Sequence, residues 1–535
     1  MTARSVTAGI CLMVAVLLVQ PALPDGPVAA AQSRPRRPVI IEPGAAGQIV
    51  HPADVHMATA PYFDADGHAH YCTTWVIMVA RTRRVVWRDR CDKVNKVHVH
   101  LGDGAFVGPY AGRTQLKYGK EYILRVRFRQ ETHGRRNWSR WRGRRFVTSP
   151  APPPGTTTTW TAADGFQVDV FAGGLQLPVN IAFLPTSPAL PSDPLMYVTE
   201  LHGAIKVVAA DGTVSDYFNG ALNYAPPLSF PGSGEQGLTG IVVEPTTGDV
   251  FASMLYEGAD GQTYPRVVRF DTAHGGAVAE GSSVVIDMPN TPMGASHQIS
   301  NLSIGPDGML YVHMGDGFAT SSARDRDDFR GKILRMNLDG SPAPLNPFYD
   351  AGDGITAQDF VFALGFRNPF GGAWRSADGE LYEVENGPSV DRLAKVVRGV
   401  DYMWDGTNES MHQHAAYVWN PGTAPVNIAF VEPQKFDGSG FPGSKLGHAF
   451  VTESGPTYGQ GRTGKRISEF ELDAAGNVVG GRSIQLEYTG TGRATAAALA
   501  AGPDGLYFSD LYKDHDASGP TDRGAQILRV RWVGN

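Results

Sequence analysis

"LSIGPDGMLYVHMGDG" (302–317) holds the unit from which most of the chain is built. Gly305-Pro306-Asp307-Gly308 reads as a tight turn: proline presets φ, aspartate accepts bonds from the backbone ahead of it, and glycine supplies positive φ. Met309 to Met314 then alternate as a strand does, and Gly315-Asp316-Gly317 turns the chain again. The same order of apolar strand, Pro/Asp/Gly turn and Leu-Tyr-Val-like strand returns at 181–208, 240–258, 372–387, 445–455 and 499–512. Further strands such as "GKILRMNLDG" (331–340) and "KRISEFELD" (465–473) follow several copies. Copies spaced by about 55–70 residues suit blades of four strands, and radial repetition leaves few sheet edges exposed. The expected fold is all-β: a six-bladed β-propeller over 161–535, preceded by a small sandwich.

Composition agrees. With 64 Gly and 38 Pro among 535 residues, many short strands joined by turns are favoured over helices. The length calls for at least two domains. Residues 1–31 carry Arg4, an apolar run of about 15 residues and Ala29-Ala30-Ala31, the layout of a secretory signal cleaved near Ala31. The run, broken by Pro21, is too short to span a bilayer, so a secreted or periplasmic protein without a transmembrane segment is expected. Cys11 leaves with the signal. Cys72 and Cys91 are then left in an oxidising compartment, where a disulfide is the natural pairing and a cysteine metal cluster is excluded.

Residues 32–148 read as a compact β unit, with strands in "TTWVIMVA" (73–80), "RRVVWRD" (83–89), "KVHVHL" (96–101) and "EYILRVRFRQ" (121–130). A Leu-Arg-Val-Arg strand, a Trp-Ser-x-Trp element (138–141) and a last Arg-Phe-Val-Thr strand (145–148) resemble a fibronectin type III-like sandwich. Interleaved arginines and tryptophans allow guanidinium-on-indole stacking. The net charge of −6 conceals an asymmetry: residues 32–150 hold 22 Lys and Arg against 9 Asp and Glu, about +13, leaving about −19 for the remainder. The run "RRNWSRWRGRR" (135–145) fits two partners equally, an anionic polymer or lipid surface outside the cell, or the acidic domain that follows. Nucleic acid is not an expected partner of an exported protein. The sandwich is read as an accessory domain rather than a catalytic one, joined by the Pro/Thr-rich linker "SPAPPPGTTTTW" (149–160).

In a propeller the loops at one end converge on the central channel, so residues distant in sequence meet there. Four elements interrupt the repeat: "GSGEQGLTGI" (232–241), "SHQISN" (296–301), "GFRNPFGG" (365–372) and "ENGPSVD" (385–391). His297 can take a proton near neutral pH, Arg367 offers a fork of donors, and Asn368 can orient either. Gly387-Pro388 presents backbone carbonyls, hard oxygen ligands of the kind calcium accepts. Each element also has a structural reading: a histidine packed beside a strand, Glu235-Gln236 as polar rim, Arg367 as a staple between blades, Gly387-Pro388 as a turn. The carboxylates clustered at 349–359 and 513–524 lack the spacing of an EF-hand loop, and no phosphate-binding glycine loop or Gly-x-Ser-x-Gly element occurs.

In order, Gly-Leu-x-Gly (237–240), His297 ahead of Ile-Gly-Pro-Asp-Gly (304–308), Gly-Lys-Ile-Leu-Arg (331–335), Gly-x-Arg-Asn-Pro-x-Gly (365–371) and Glu-x-Gly-Pro (385–388) resemble the soluble glucose/sorbosone dehydrogenases over roughly 160–535. That family consists of six-bladed propellers that use pyrroloquinoline quinone (PQQ) and calcium to oxidise aldoses. The resemblance implies that His297 removes the proton of a sugar's anomeric hydroxyl while hydride passes to the quinone, giving the lactone, with an external acceptor taking the electrons onward. It implies that Arg367 and Asn368 contact the quinone oxygens and that the carbonyls of Gly387 and Pro388 bind Ca2+. Glu235 stands where the family usually has a glutamine near the base, and Lys465 or Arg462, together with Arg493, would clamp the cofactor carboxylates.

Departures occur at Ile299-Ser300-Asn301, at Ser389-Val390-Asp391-Arg392-Leu393 and at Asp401-Tyr402-Met403-Trp404-Asp405. Two other readings use the same channel: a non-catalytic glycan-binding propeller and a calcium-dependent propeller hydrolase or lactonase.

Overall fold

A computed structural model describes residues 34–534 apart from 51–54, 56, 100, 114–115, 118, 132–136, 149–159, 186–187, 227–233, 273–275, 456–463, 491–492 and 513–520. The expected signal segment, linker residues 149–159 and Arg462 lie outside the described residues.

The repeated unit folds as its turn chemistry dictates. Ile299–Ile304 and Leu310–Met314 pair antiparallel across the Gly305–Gly308 turn. Asp307 accepts from the Met309 backbone at 3.2 Å and from the Tyr311 hydroxyl at 3.0 Å, and Gly308 takes φ +74°. Lys332–Met336 and Val361–Leu364 complete the sheet. Among the described residues six such sheets occur, with inner strands Pro178–Phe183, Leu238–Val243, Ile299–Ile304, Pro369–Arg375, Pro425–Phe430 and Ala496–Gly502. Each inner strand packs on the next and the last returns to the first, so the ring is closed.

The closure joins distant parts of the chain. Phe166–Leu175 adds an outer strand to Ala525–Trp532, so the last sheet is completed by residues that precede the first. Trp160–Ala162 pairs in turn with Val478–Tyr488. Trp160, expected at the end of the linker, is therefore a propeller residue: its buried indole donates to Asp510 at 2.9 Å and packs edge-on against Phe508. The Ser300-Asn301 departure has a structural use. The Ser300 hydroxyl donates to the Pro369 carbonyl at 2.7 Å and the Asn301 amide to the Gly372 carbonyl at 2.8 Å, tying two neighbouring inner strands together.

His313, on the strand after the turn, is wholly buried against Gly372, where any Cβ would stand 2.4 Å from the imidazole. Burial pushes its imidazole down to about 3. An unfolded histidine binds a proton below about 6.5, whereas the folded one does not until about 3, so stability is lost as pH falls through that window, about 5 kcal/mol in all. Chemical denaturation is expected to give a shallower loss of stability between pH 6.5 and 3 for His313→Gln than for the parent protein. Equal slopes would show that this imidazole is not held neutral.

Ahead of the propeller lie two further sheets. One joins Ile40–Glu42, Met57–Thr59 and His98–Val99. The other runs in the order Gln48–Val50, Arg142–Thr148, Glu121–Gln130, His70–Val79, Val85–Asp92, Ala105–Phe106. Between them Val55, Met57 and Val99 pack against Trp75, Trp87, Tyr122 and Phe146. Each buried aromatic contributes on the order of 2–3 kcal/mol. Cys72 and Cys91 form the expected disulfide. The expected stacking is present too: Arg127 lies 4.0 Å from the Trp138 ring and 4.5 Å from Trp141, with Arg125 at 4.9 Å. Among the described residues no helix is long and apolar enough to cross a membrane.

Candidate active site

Glu235, His297 and the pair Arg367-Asn368 each lie just before an inner strand, at Leu238–Val243, Ile299–Ile304 and Pro369–Arg375. Ring closure brings these entries together. The His297 backbone N–H donates to Glu235 at 2.8 Å, and the Asn368 amide lies 3.4 Å from the same carboxylate. His297 takes φ +56°, a left-handed conformation that costs a histidine about 1 kcal/mol. Gly315 is required beside it, because a Cβ there would fall 2.3 Å from the His297 carbonyl oxygen. That close approach seats Asp316 under the imidazole.

His297 Nδ1 is 2.7 Å from Asp316 Oδ1, and the two side chains are 5% and 2% exposed. Asp316 also accepts from the Phe318 backbone at 2.9 Å and from the Trp404 indole at 2.8 Å. Burial alone would raise this carboxyl, but His297, Arg367 and the Trp404 indole outweigh it and hold it below the usual carboxylate range. A carboxylate that stays charged fixes the imidazole proton on Nδ1, so acceptance of a substrate proton falls to Nε2. Phe318 packs over the ring with centroids 3.9 Å apart.

Arg367 is held by its backbone as well as its side chain. Its N–H donates to Glu385, its carbonyl accepts from the Asp316 N–H at 2.6 Å, and its guanidinium donates to the Asn386 carbonyl at 2.8 Å. Glu385 is paired with Arg392 at 2.5 Å, both fully buried. Arg392, one of the departures from the resembled pattern, also donates to the carbonyls of Tyr402 and Gln413 at 2.8 Å. It thereby anchors the segment that carries Trp404 to Asp316. Gly387 donates its N–H to Asp391 at 3.0 Å, and a Cβ there would fall 1.9 Å from the Val390 carbonyl, so this turn admits only glycine.

The site opens into a cavity of about 620 Å³ whose propeller wall includes His297, Asp316, Phe318, Arg367, Pro388 and Trp404. The opposite wall comes from the sandwich, through Ile41, Thr59, Tyr62 and His98 among others. The N-terminal unit, expected to be accessory, thus lends residues of its three-stranded sheet to the cavity at the mouth of the ring. Glu235 instead borders a smaller cavity beneath, with Gln298 and Asn301. Lys465 is fully buried, with its ammonium donating to the Ser454 carbonyl, and does not border the large cavity. That burial does not match the clamp expected of it. Arg493 is partly exposed three residues ahead of Ala496–Gly502, also away from the large cavity's lining.

Asp316, Phe318 and Trp404 were not among the site residues expected from sequence, although Trp404 falls within one of the departures. Asp316 had a signal, an aspartate between two glycines directly after a strand, but it reads locally as a turn. The donor set fits the groups that the resemblance implies. Arg367, a donor, and Pro388, next to the glycine-only turn, both border the cavity, whereas Asn368 lies outside its lining with Oδ1 buried and without a partner among the described residues.

A closed β-propeller with a carboxylate-held imidazole, an arginine and the turn at Pro388 gathered at its mouth has the layout of a propeller enzyme. The glucose/sorbosone dehydrogenase family model matches residues 175–449, just over half of the chain, and this protein belongs to that family. Quinoprotein glucose dehydrogenase B of Acinetobacter calcoaceticus is 33% identical over 133 residues, 21% of this chain and 27% of that protein. The match thus spans about a quarter of that relative's length. Aldose sugar dehydrogenase YliI of Escherichia coli is 25% identical over 313 residues, 52% of this chain and 77% of that protein. The PQQ-bound form of aldose sugar dehydrogenase from Streptomyces coelicolor shares the fold, with a TM-score of 0.51 at 24% identity over 71% of this chain and all of that one.

Proposed function

We propose that this protein is an exported, quinone-dependent dehydrogenase that oxidises an aldose at its anomeric carbon to the lactone. The observation that carries the reading is the His297–Asp316 pair facing a cavity beside Arg367. Nε2 of His297 takes the proton of the anomeric hydroxyl, and Asp316 stabilises the imidazolium that results. The hydrogen on the anomeric carbon leaves as hydride while the carbonyl of the lactone forms. When bound, PQQ supplies the hydride acceptor and Ca2+ polarises it. Arg367 is the residue suited to donate to the quinone oxygens, with Asn368 bracing Glu235 behind it, and the carbonyls of Gly387 and Pro388 suit the calcium. Glu235 steadies the base by holding the His297 backbone. The sandwich wall and the aromatic rings of Phe318 and Trp404 limit water at the reacting carbon.

The reading is tested by titrating the metal-stripped protein with PQQ and calcium, following cofactor absorbance and then dye reduction with a panel of aldoses. Calcium-dependent uptake at micromolar concentration, with sugar-dependent dye reduction, is the expected result. Absence of uptake would overturn it. Export rests on the layout of residues 1–31 and is checked by sequencing the N-terminus of the mature protein.

A further inference from the structure

The cavity has two walls from two domains, and only one of them carries the chemistry assigned above. His98 stands on the three-stranded sheet of the sandwich, 93% buried, with its ring centroid 4.6 Å from Phe318 and 6.3 Å from His297. Its Nε2 lies 3.9 Å from a Glu42 carboxylate oxygen of the same sheet. Tyr62, also on this wall, is stiffened from behind: it stacks on His70 at 4.5 Å and meets Phe128 edge-on at 5.5 Å, and its hydroxyl donates to Asp64 at 3.2 Å. The sandwich also abuts the turn after Pro388, where a Cβ on Gly44 would stand 2.9 Å from the Ser389 hydroxyl. Rings fixed from behind do not yield to a ligand, so the wall has a set shape.

The cavity beside His297 is bounded on its far side by this wall, so a sugar whose anomeric carbon is at His297 extends within reach of it. Aromatic rings with polar tips suit that task, because they cover the apolar face of a sugar ring while bonding its hydroxyls. A cavity of about 620 Å³ is of a size that encloses a small ligand and not a polymer.

We propose that the three-stranded sheet of the sandwich is the outer wall of the sugar site, with His98 and Tyr62 as the residues that restrict the substrate to short aldoses. The proposal rests on the dehydrogenase reading and names its substrate class. His98 and Tyr62 act on the end of the sugar remote from the reacting carbon, so their removal changes which sugars are accepted more than how the quinone is held.

The test uses the full-length protein with His98→Ala, His98→Phe and Tyr62→Ala. It reads PQQ affinity, kcat and KM for glucose, maltose and maltotriose, and calorimetric binding of the same sugars. For His98→Ala, kcat/KM on glucose is expected to fall about tenfold, mainly through KM, as for a lost pocket contact. The maltotriose-to-glucose ratio of kcat/KM should rise about fivefold or more, and PQQ affinity should stay within about twofold. His98→Phe, which keeps the ring against Phe318, should restore the preference for short sugars. An unchanged ratio in folded His98→Ala overturns the wall while leaving the dehydrogenase reading intact. If that variant does not fold, Tyr62→Ala decides by the same readouts. If the parent protein takes up no quinone, the dehydrogenase reading fails, and calorimetry alone decides the wall: a fivefold change in the relative affinity for short and long sugars supports it. Equal affinities, or no sugar binding by the parent, overturn it.

Discussion

Asp316→Asn is expected to lower kcat/KM for sugar oxidation by about 10²–10⁴-fold while leaving PQQ affinity nearly unchanged. The carboxylate accepts from His297 Nδ1, the Phe318 backbone and the Trp404 indole. An asparagine carries one acceptor oxygen and one donor nitrogen in its place. If the oxygen stays with Trp404, the amide donates to Nδ1 and the imidazole proton moves to Nε2, the nitrogen that has to accept the substrate proton. If it turns the other way, two donors face each other at Trp404. In either case the imidazolium formed during the reaction loses its counter-charge. Because the folded Asp316 carboxyl is held below its unfolded range, it also contributes stability above about pH 4 that is lost as pH falls through its folded value. The asparagine variant should therefore be less stable at neutral pH and lose less stability on acidification. A decrease in kcat/KM of less than about tenfold would remove Asp316 from the mechanism.

His297→Asn is expected to abolish sugar-dependent reduction, by about 10³-fold or more, with quinone uptake retained. Asparagine is the informative replacement because it tolerates the φ of +56° found here and can still donate to Asp316. Alanine would strain the same backbone and leave a buried carboxylate short of a partner, mixing a stability effect with a catalytic one. The measurement is single-turnover reduction by sugar in protein preloaded with PQQ and calcium, so that affinity and chemistry are read separately. Reduction at the parent rate would return His297 to a packing role.

The blades were legible because their signals are local. Gly305-Pro306-Asp307-Gly308 makes its turn with its own side chains, through Asp307 bonds to residues two and four positions on. The disulfide was legible from the count of cysteines in an oxidising compartment, and the stacked arginines from their alternation with tryptophan. His297, Arg367, Asn368 and the Gly387-Pro388 turn stood out because they break a repeat. Asp316 did not, since an aspartate between glycines satisfies the same rules in an exposed turn. What makes it different is Trp404, which arrives from 88 residues away on a segment held by buried Arg392. Lys465, named as a cofactor clamp through the resemblance alone, is buried in the sheet on the Ser454 carbonyl, a placement no local signal announces.

The sequence by itself determined the all-β class, the repeated four-stranded unit, the disulfide pair and the residue types able to move a proton or bind an anion. Apart from the disulfide, which follows from the cysteine count, those properties depend on neighbours within a few positions, through turn chemistry and alternation. Only the tertiary structure decided that Asp316 is the partner of His297, that Lys465 is buried and that a sheet of the N-terminal sandwich forms the far wall of the cavity. Such contacts arise when the ring closes and two domains dock, and the free energy that selects them is the sum of many burials spread over the chain, with no short segment carrying it.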